Sequence, residues 1–281
     1  MIAGPLRPLL SGRPDPVGAA LLVVALALLS ACGISTTRVL EGTGPRGAEP
    51  AALARRADEA FAVRPREVET VREAFREMSG AVRATEASDS TRHRYASRAA
   101  RFAVWLAGHT GGSTSEAYAD SAVVLANTAL RADSSRVEPY YWRAIASGLY
   151  ARHNRLTAGR DAMSRIREDA TAAIRIDPTF EHGGPHRVLG TLYLRAPGPP
   201  TGVGSLRRAL HHLERAREVA PDHPENLLPL AEAYLEAGRR ADAEALLEGL
   251  LQSEIPFGDE EERTEWRTEA GELLERVRTP G

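Results

Sequence analysis

One phrase recurs down this chain and limits its fold more than any other feature. A small or apolar residue is followed by another four positions on, usually by Ala three later, and by a helix stop, often Pro, five further. It reads Ile166-Ala170-Ala173-Pro178 and Ala209-Leu213-Ala216-Pro221, and less perfectly Leu53-Ala57-Ala60-Pro65, Ala122-Ala126-Ala129-Ser134 and Ala243-Leu247-Leu250-Ile255. Residues four and three apart share one helix face, small ones let a neighbouring helix come close, and proline ends the helix and turns the chain. A second phrase precedes each later copy: Leu230, Ala231 and Tyr234 ahead of Gly238; Leu189, Gly190 and Tyr193 ahead of Ala209; Trp142, Ile145, Ala146 and Leu149 ahead of Ile166. The chain is thus a run of helix-turn-helix units, rich in Ala, Leu, Glu and Arg and poor in β-branched runs.

These positions mark the tetratricopeptide repeat, a helix pair of about 34 residues that stacks into a superhelix with a concave binding surface. The expected fold is all-α: a tetratricopeptide-repeat-like α-solenoid of about five helix pairs over 51–255, with a capping helix in 256–281. Pro178, Gly190, Ala209, Ala216, Pro221 and Ala243 are the repeat-packing positions. From Pro221 to Ile255 the spacing is 34, but from Pro178 to Pro221 it is 43 and from Ser134 to Pro178 it is 44. Two consecutive units therefore carry extra residues, near "ARHNRLTAGRDAM" and in "APGPPTGVG", each between the two helices of a pair. Such insertions map to loops on one face, often the binding face. In "GGPHRVLGTLYLRAPGPPTGVG" (183–204), Gly183, Gly184 and Pro185 start a helix, Gly190 is its close-packing position, and 196–204 is an oversized turn stiffened by proline.

The start of the chain addresses the protein. Residues 1–31 carry Arg7 and Arg13, then the apolar run "AALLVVALALLSA", and Cys32, the only cysteine, follows at once. This order is that of a secretory signal, too short to span a bilayer comfortably. Leu29-Ser30-Ala31-Cys32 matches the bacterial lipobox, in which cleavage precedes a cysteine that is then lipidated. Each buried methylene of an acyl chain contributes about 0.8 kcal/mol, so two or three chains anchor stably. With the sole cysteine acylated, no disulfide is expected and the core alone holds the domain. Gly33 at the next position favours outer-membrane sorting, on the periplasmic face, over inner-membrane retention. Residues 32–50 read as a Gly/Thr/Pro-rich tether.

Charge and chemistry exclude several classes. There are 36 basic residues, all arginine, against 38 acidic ones. A near-neutral, interspersed balance argues against nucleic acid as the main partner. No nucleophile motif, P-loop, dinucleotide fingerprint or His-Glu-x-x-His phrase is present, so no enzyme, cofactor or metal is expected. His182 and His186 are separated by Gly183, Gly184 and Pro185, which breaks a shared helix face. His211 and His212 point about 100° apart, so only one faces a given neighbour. A zinc site joining His182 or His186 to His211 is the weakest option. Residues 258–278 read as the capping helix, charged outside, with Trp266 packed on the last repeat.

The lipobox, the divergent repeats, "YYWRAIASGLYA" (140–151), "IDPTFEHGGPHRVLG" (176–190) and "YLRAPGPPTGVGSLRRALHHLERA" (193–216) together resemble the T-component of tripartite ATP-independent periplasmic (TRAP) transporters. Tyr141, Trp142, Asp177, Pro178, Gly184, Leu189, Gly190, Tyr193, Ala196, Pro197 and Gly204 stand in the places of that family's pattern, strongest over 138–235. The resemblance implies a lipid-anchored envelope protein, homo-oligomeric and trimeric, that docks a periplasmic solute-binding protein, binds a lipophilic solute and encloses a hydrophobic cavity or pore. Tyr141, Trp142, Tyr193, Pro197 and Pro200 are then the candidate ligand or partner contacts. Trp142 also reads as the large core residue of its repeat, and Tyr141 stands between the two roles. The other reading is a general envelope scaffold that binds peptides or other envelope proteins in a groove. The first expects an aromatic-lined concavity near Tyr141 and the 196–204 loop; the second expects a polar groove lined by arginines and carboxylates.

Overall fold

A computed structural model describes residues 49–84, 88–153 and 159–279. The expected signal segment, Cys32 and the expected tether up to residue 48 lie outside them. The described residues form eleven helices and no strand: α1 (Pro50–Ala62), α2 (Val68–Ala84), α3 (Asp89–His109), α4 (Gly112–Ala132), α5 (Glu138–His153), α6 (Gly159–Ile176), α7 (Phe180–Arg195), α8 (Leu206–Val219), α9 (Pro224–Glu236), α10 (Arg240–Gln252) and α11 (Glu260–Arg278). Five antiparallel pairs and a last single helix follow, each packed on the next. From α3 onward the odd-numbered helices also touch one another, α3 with α5, α5 with α7, α7 with α9 and α9 with α11. They form the tight inner row of the solenoid, while the even-numbered helices splay on the outer side.

The recurring phrase is the seam of this packing. Ala122, Ala126 and Ala129 of α4, Ala170 and Ala173 of α6, Ala209, Leu213 and Ala216 of α8, and Ala243, Leu247 and Leu250 of α10 are all buried. Pro178 and Pro221 stand two residues beyond the ends of α6 and α8, as helix stops should. Gly190 lets α7 and α8 come together: a Cβ there would lie 2.6 Å from Leu213 Cγ. Gly238 ends α9 at φ +73, with Arg239 N–H donating to the Tyr234 carbonyl (2.8 Å) in a Schellman turn.

The N-terminal units depart from the expected register. Between Pro65 and Ser134 the chain makes three helices, because α3 and α4 run to 21 residues each. The phrase therefore sits on the first helix of the first pair and on the second helix of later pairs. At the other end, α11 opens with a capping box between Asp259 and Glu262, and buries Ala270, Leu273, Leu274 and Val277. Its acidic first turn and basic last turn match the helix dipole.

Candidate functional site

Aromatic rings and arginines connect along the inner row. Phe61 of α1 stacks on Phe102 of α3 at 4.2 Å between centroids. Arg101 of α3 lies 5.3 Å from the Phe61 ring and 5.6 Å from that of Trp142. Trp142 and Tyr141 of α5 meet each other at 4.7 Å and Phe180 at 6.2 and 5.3 Å. A second group follows at the start of α9 and α11: His182 on His223 (4.9 Å), both on Phe257 (5.2 and 4.4 Å), and His223 near Trp266 (6.1 Å). The two ends of the solenoid meet here. Arg66, after α1, covers the Phe61 ring at 4.2 Å and reaches Glu262 of α11 at 3.7 Å, with only 8% of its side chain exposed.

The bend at the start of α7 organises this edge. Glu181, His182 and Gly183 all have positive φ (46°, 58° and 83°), and two of the three are not glycine. Left-handed backbone costs roughly 1–2 kcal/mol per non-glycine residue, so the surroundings must enforce it. They do: the Asn226 amide, fully buried, donates to the carbonyls of His182 (2.9 Å), Ala216 (3.0 Å) and Ala220 (3.2 Å). Glu181 itself pairs with Arg101 at 3.5 Å. Asn226 in turn accepts from Arg187 (2.8 Å), which also donates to the Tyr141 hydroxyl (3.2 Å) and pairs with Glu225 (2.8 Å). One guanidinium on α7 therefore ties α5 to α9. Burial pushes the Tyr141 hydroxyl up to about 12, so it stays neutral. Burial, with Arg187 and His182 adding to it, lowers His223 to about 3.

The residues singled out in the sequence fall into two groups. Tyr141, Trp142 and Tyr193 are core, at 3%, 9% and 7% exposure. Tyr141 fills the space over Gly184, where a Cβ would lie 2.6 Å from its hydroxyl. Pro197 and Pro200 are exposed. The aromatic contact expected at Tyr141 and the loop contact expected at 196–204 also lie apart. Tyr141 packs on the first turn of α7 and the loop follows its last, about 18 Å away at 1.5 Å per residue. That loop is compact. Gly204 N–H donates to the Pro197 carbonyl (2.8 Å) and Ser205 N–H to that of Tyr193 (2.8 Å), and a Cβ at Gly204 would sit 2.1 Å from the Ala196 carbonyl oxygen. The other insertion is only partly described, since residues 154–158 lie outside. The side chains that do reach the surface of the inner edge are His182, exposed, and Phe180, Phe257 and Trp266, half-buried. Sequence reasoning missed Phe180, Phe257, Arg187 and Asn226: the first two stand at helix junctions outside either phrase, and the polar pair reads as ordinary surface.

On the outer side, a groove of about 440 Å³ runs between α8 and α10 over α9. Leu227, Leu246 and Leu250 form its apolar part, and Arg217, Asp222, Arg239 and Asp242 its charged part. Arg239 covers the Tyr234 ring at 4.0 Å while pairing with Glu214 (3.2 Å) and Asp242 (2.7 Å). Of the histidines considered for zinc, His186 meets His212 rather than His211, Nδ1 to Nδ1 at 3.0 Å. Among the described residues no group of three or more His, Cys, Asp or Glu is placed to hold a metal, and no helix is long and apolar enough to cross a membrane.

Residues 202–254 match the family model described as tetratricopeptide repeat. The search of curated proteins returned no match. Among solved structures, a thermophilic tetratricopeptide-repeat protein of Thermus thermophilus is similar at 16% identity and a TM-score of 0.57, over 80% of this chain and 99% of that one. Looser likenesses are to MamA (13% identity, TM-score 0.44, 81% of this chain and 92% of that one) and to yeast Tom70 (14%, 0.33, 94% and 75%). The fold is therefore a tetratricopeptide-repeat α-solenoid, an architecture whose extended surfaces serve as scaffolds for protein partners.

Proposed function

We propose that the protein is a lipid-anchored scaffold of the bacterial cell envelope, held by Cys32, and an accessory component of a TRAP-type transport system that docks a periplasmic solute-binding protein. The observation that carries the reading is the inner edge: Phe180, His182, Phe257 and Trp266 surface together on a backbone bend held by Asn226. A rigid aromatic edge with arginines beside it is the composition of interface hot spots. The resemblance over 138–235 supports the transport context, and the lipobox supports the anchor. The docking surface moves from Tyr141, which is buried, to this edge. Capture from detergent-solubilised membranes tests it. The wild type should retain a solute-binding protein that Phe180→Ala/Trp266→Ala loses, and equal retention by both would overturn the edge as contact. Cys32→Ala should abolish palmitate labelling and release the protein from the membrane fraction.

The groove between α8 and α10 favours the second reading, a general scaffold that seats a peptide between Arg217 and Tyr234. Under that reading Arg217→Glu, not the inner-edge variant, abolishes capture.

A further inference from the structure

A second surface lies one repeat before the outer groove. Tyr193 and Leu213 correspond in the repeat to Tyr234 and Leu247, which puts His186 and His212 where the next unit has Leu227 and Leu246. Those two leucines line the α8–α10 groove. The same register sets Arg208 against Asp242, His211 against Ala245 and Arg215 against Gly249, all three groove residues. At these five positions two leucines, Ala, Gly and an aspartate have given way to three histidines and two arginines. The contacts agree. His186 and His212 meet at 3.0 Å, and their ring centroids, 5.3 Å apart, set the two nitrogens head-on, as a shared N–H···N bond requires. Arg208 lies over the Tyr193 ring at 5.5 Å and His211 against His212 at 5.0 Å. Arg207 and Arg208 make no ion pair among the described residues, while Arg215 pairs with Glu218 of its own helix.

We propose that this face, Arg208, His211 and Arg215 over the His186–His212 pair, docks an acidic segment of a partner protein through its carboxylates. Arg208 and Arg215 stand two turns apart, about 10 Å along α8, a spacing for successive carboxylates of a polypeptide rather than for one compact anion. The positive field of Arg208 and Arg215 lies over a floor of two neutral histidines. His212 is brought down to about 4 by burial first and then by His186, His211 and Arg208, and His186 is lowered by burial first and then by Arg215 and His211. Carboxylates arriving there neutralise that field, so complementarity is electrostatic and salt-sensitive.

The test uses the purified mature chain, without membranes, so that it stands or falls apart from docking at the inner edge. Fluorescein-labelled hexaglutamate is followed by anisotropy at low salt. Saturable binding is expected, weakened about tenfold or more by Arg208→Glu/Arg215→Glu, since each reversal turns an attraction into a repulsion. Both side chains are exposed, so the fold is retained, which circular dichroism confirms. Arg55→Glu on α1, whose side chain is 71% exposed, should leave binding unchanged. Equal binding by wild type and the double reversal overturns the proposal. So does full displacement by an equal concentration of inorganic phosphate, which would mark a site for free anions. The chain's own residues 220–279 hold 16 acidic side chains against 6 arginines. Sedimentation showing wild-type oligomers that the reversal dissociates would therefore give the face to a second copy and likewise overturn it.

Discussion

Replacing Arg187 by Met should cost this solenoid a large part of its stability. The guanidinium satisfies the Tyr141 hydroxyl (3.2 Å) and the Asn226 side-chain oxygen (2.8 Å), both in residues at 3% exposure or less. Glu225 is half-exposed and keeps its hydration. Methionine fills the volume but leaves two buried polar atoms without a donor. At about 1–3 kcal/mol for each unsatisfied group, the expected loss is about 4 kcal/mol, against a total of about 5–15 kcal/mol for a native domain. In a chain of this size it corresponds to a fall in Tm of about 8–16 °C. Urea titration and thermal melting followed at 222 nm measure it. The companion change localises the loss: in an Arg187→Met background, Tyr141→Phe removes one orphaned hydroxyl, so the two substitutions together should cost less than their sum. A loss below about 1 kcal/mol for Arg187→Met, or strict additivity with Tyr141→Phe, would refute the reasoning.

Other expectations follow from single contacts. Gly190→Ala places a Cβ 2.6 Å from Leu213 Cγ, and overpacking of about 1–3 kcal/mol should exceed the roughly 1 kcal/mol gained in helix propensity, so Tm falls. Leu213→Ala should cost less in that background than in the wild type, since the added methyl fills part of the space the leucine vacates. His186→Leu or His212→Leu alone leaves the other imidazole without its partner and should destabilise by about 1–3 kcal/mol, whereas the double change copies Leu227 and Leu246 and should be more stable than either single one by denaturant titration. His223, lowered to about 3 when folded against an ordinary 6.5, binds fewer protons in the native state; its contribution is complete above pH 6.5 and is lost as the pH falls towards 3. Stability measured across that window should therefore decline on acidification, and less so in His223→Gln.

The fold was legible because its signal is periodic. Small residues at four-and-three spacing can only be a close helix seam, and five copies define a stack whatever their neighbours. The register failed where the copies are imperfect: α3 and α4 are long, so three helices fill a span that two average repeats would fill with four. The site was less legible for a physical reason. Tyr141 and Trp142 announce aromatic surface, yet whether a ring faces out depends on which helix packs over it, and α7 closes over Tyr141 at Gly184. Phe180 and Phe257 carry no periodic mark, since they stand at junctions whose conformation is set by Asn226 and by the bend at Glu181 and His182. Arg187 looks like any arginine of an arginine-rich chain until its three partners are seen together.

The most direct test of the account is a photocrosslinking amino acid placed at His182, an exposed position of the inner edge, in the full-length protein expressed in its own cells. The same probe at Arg55 serves as the reference surface. Docking at the edge predicts one strong crosslink from position 182 to a periplasmic solute-binding protein and none from position 55. A crosslink from 182 only to outer-membrane assembly proteins, or none at all, would contradict it.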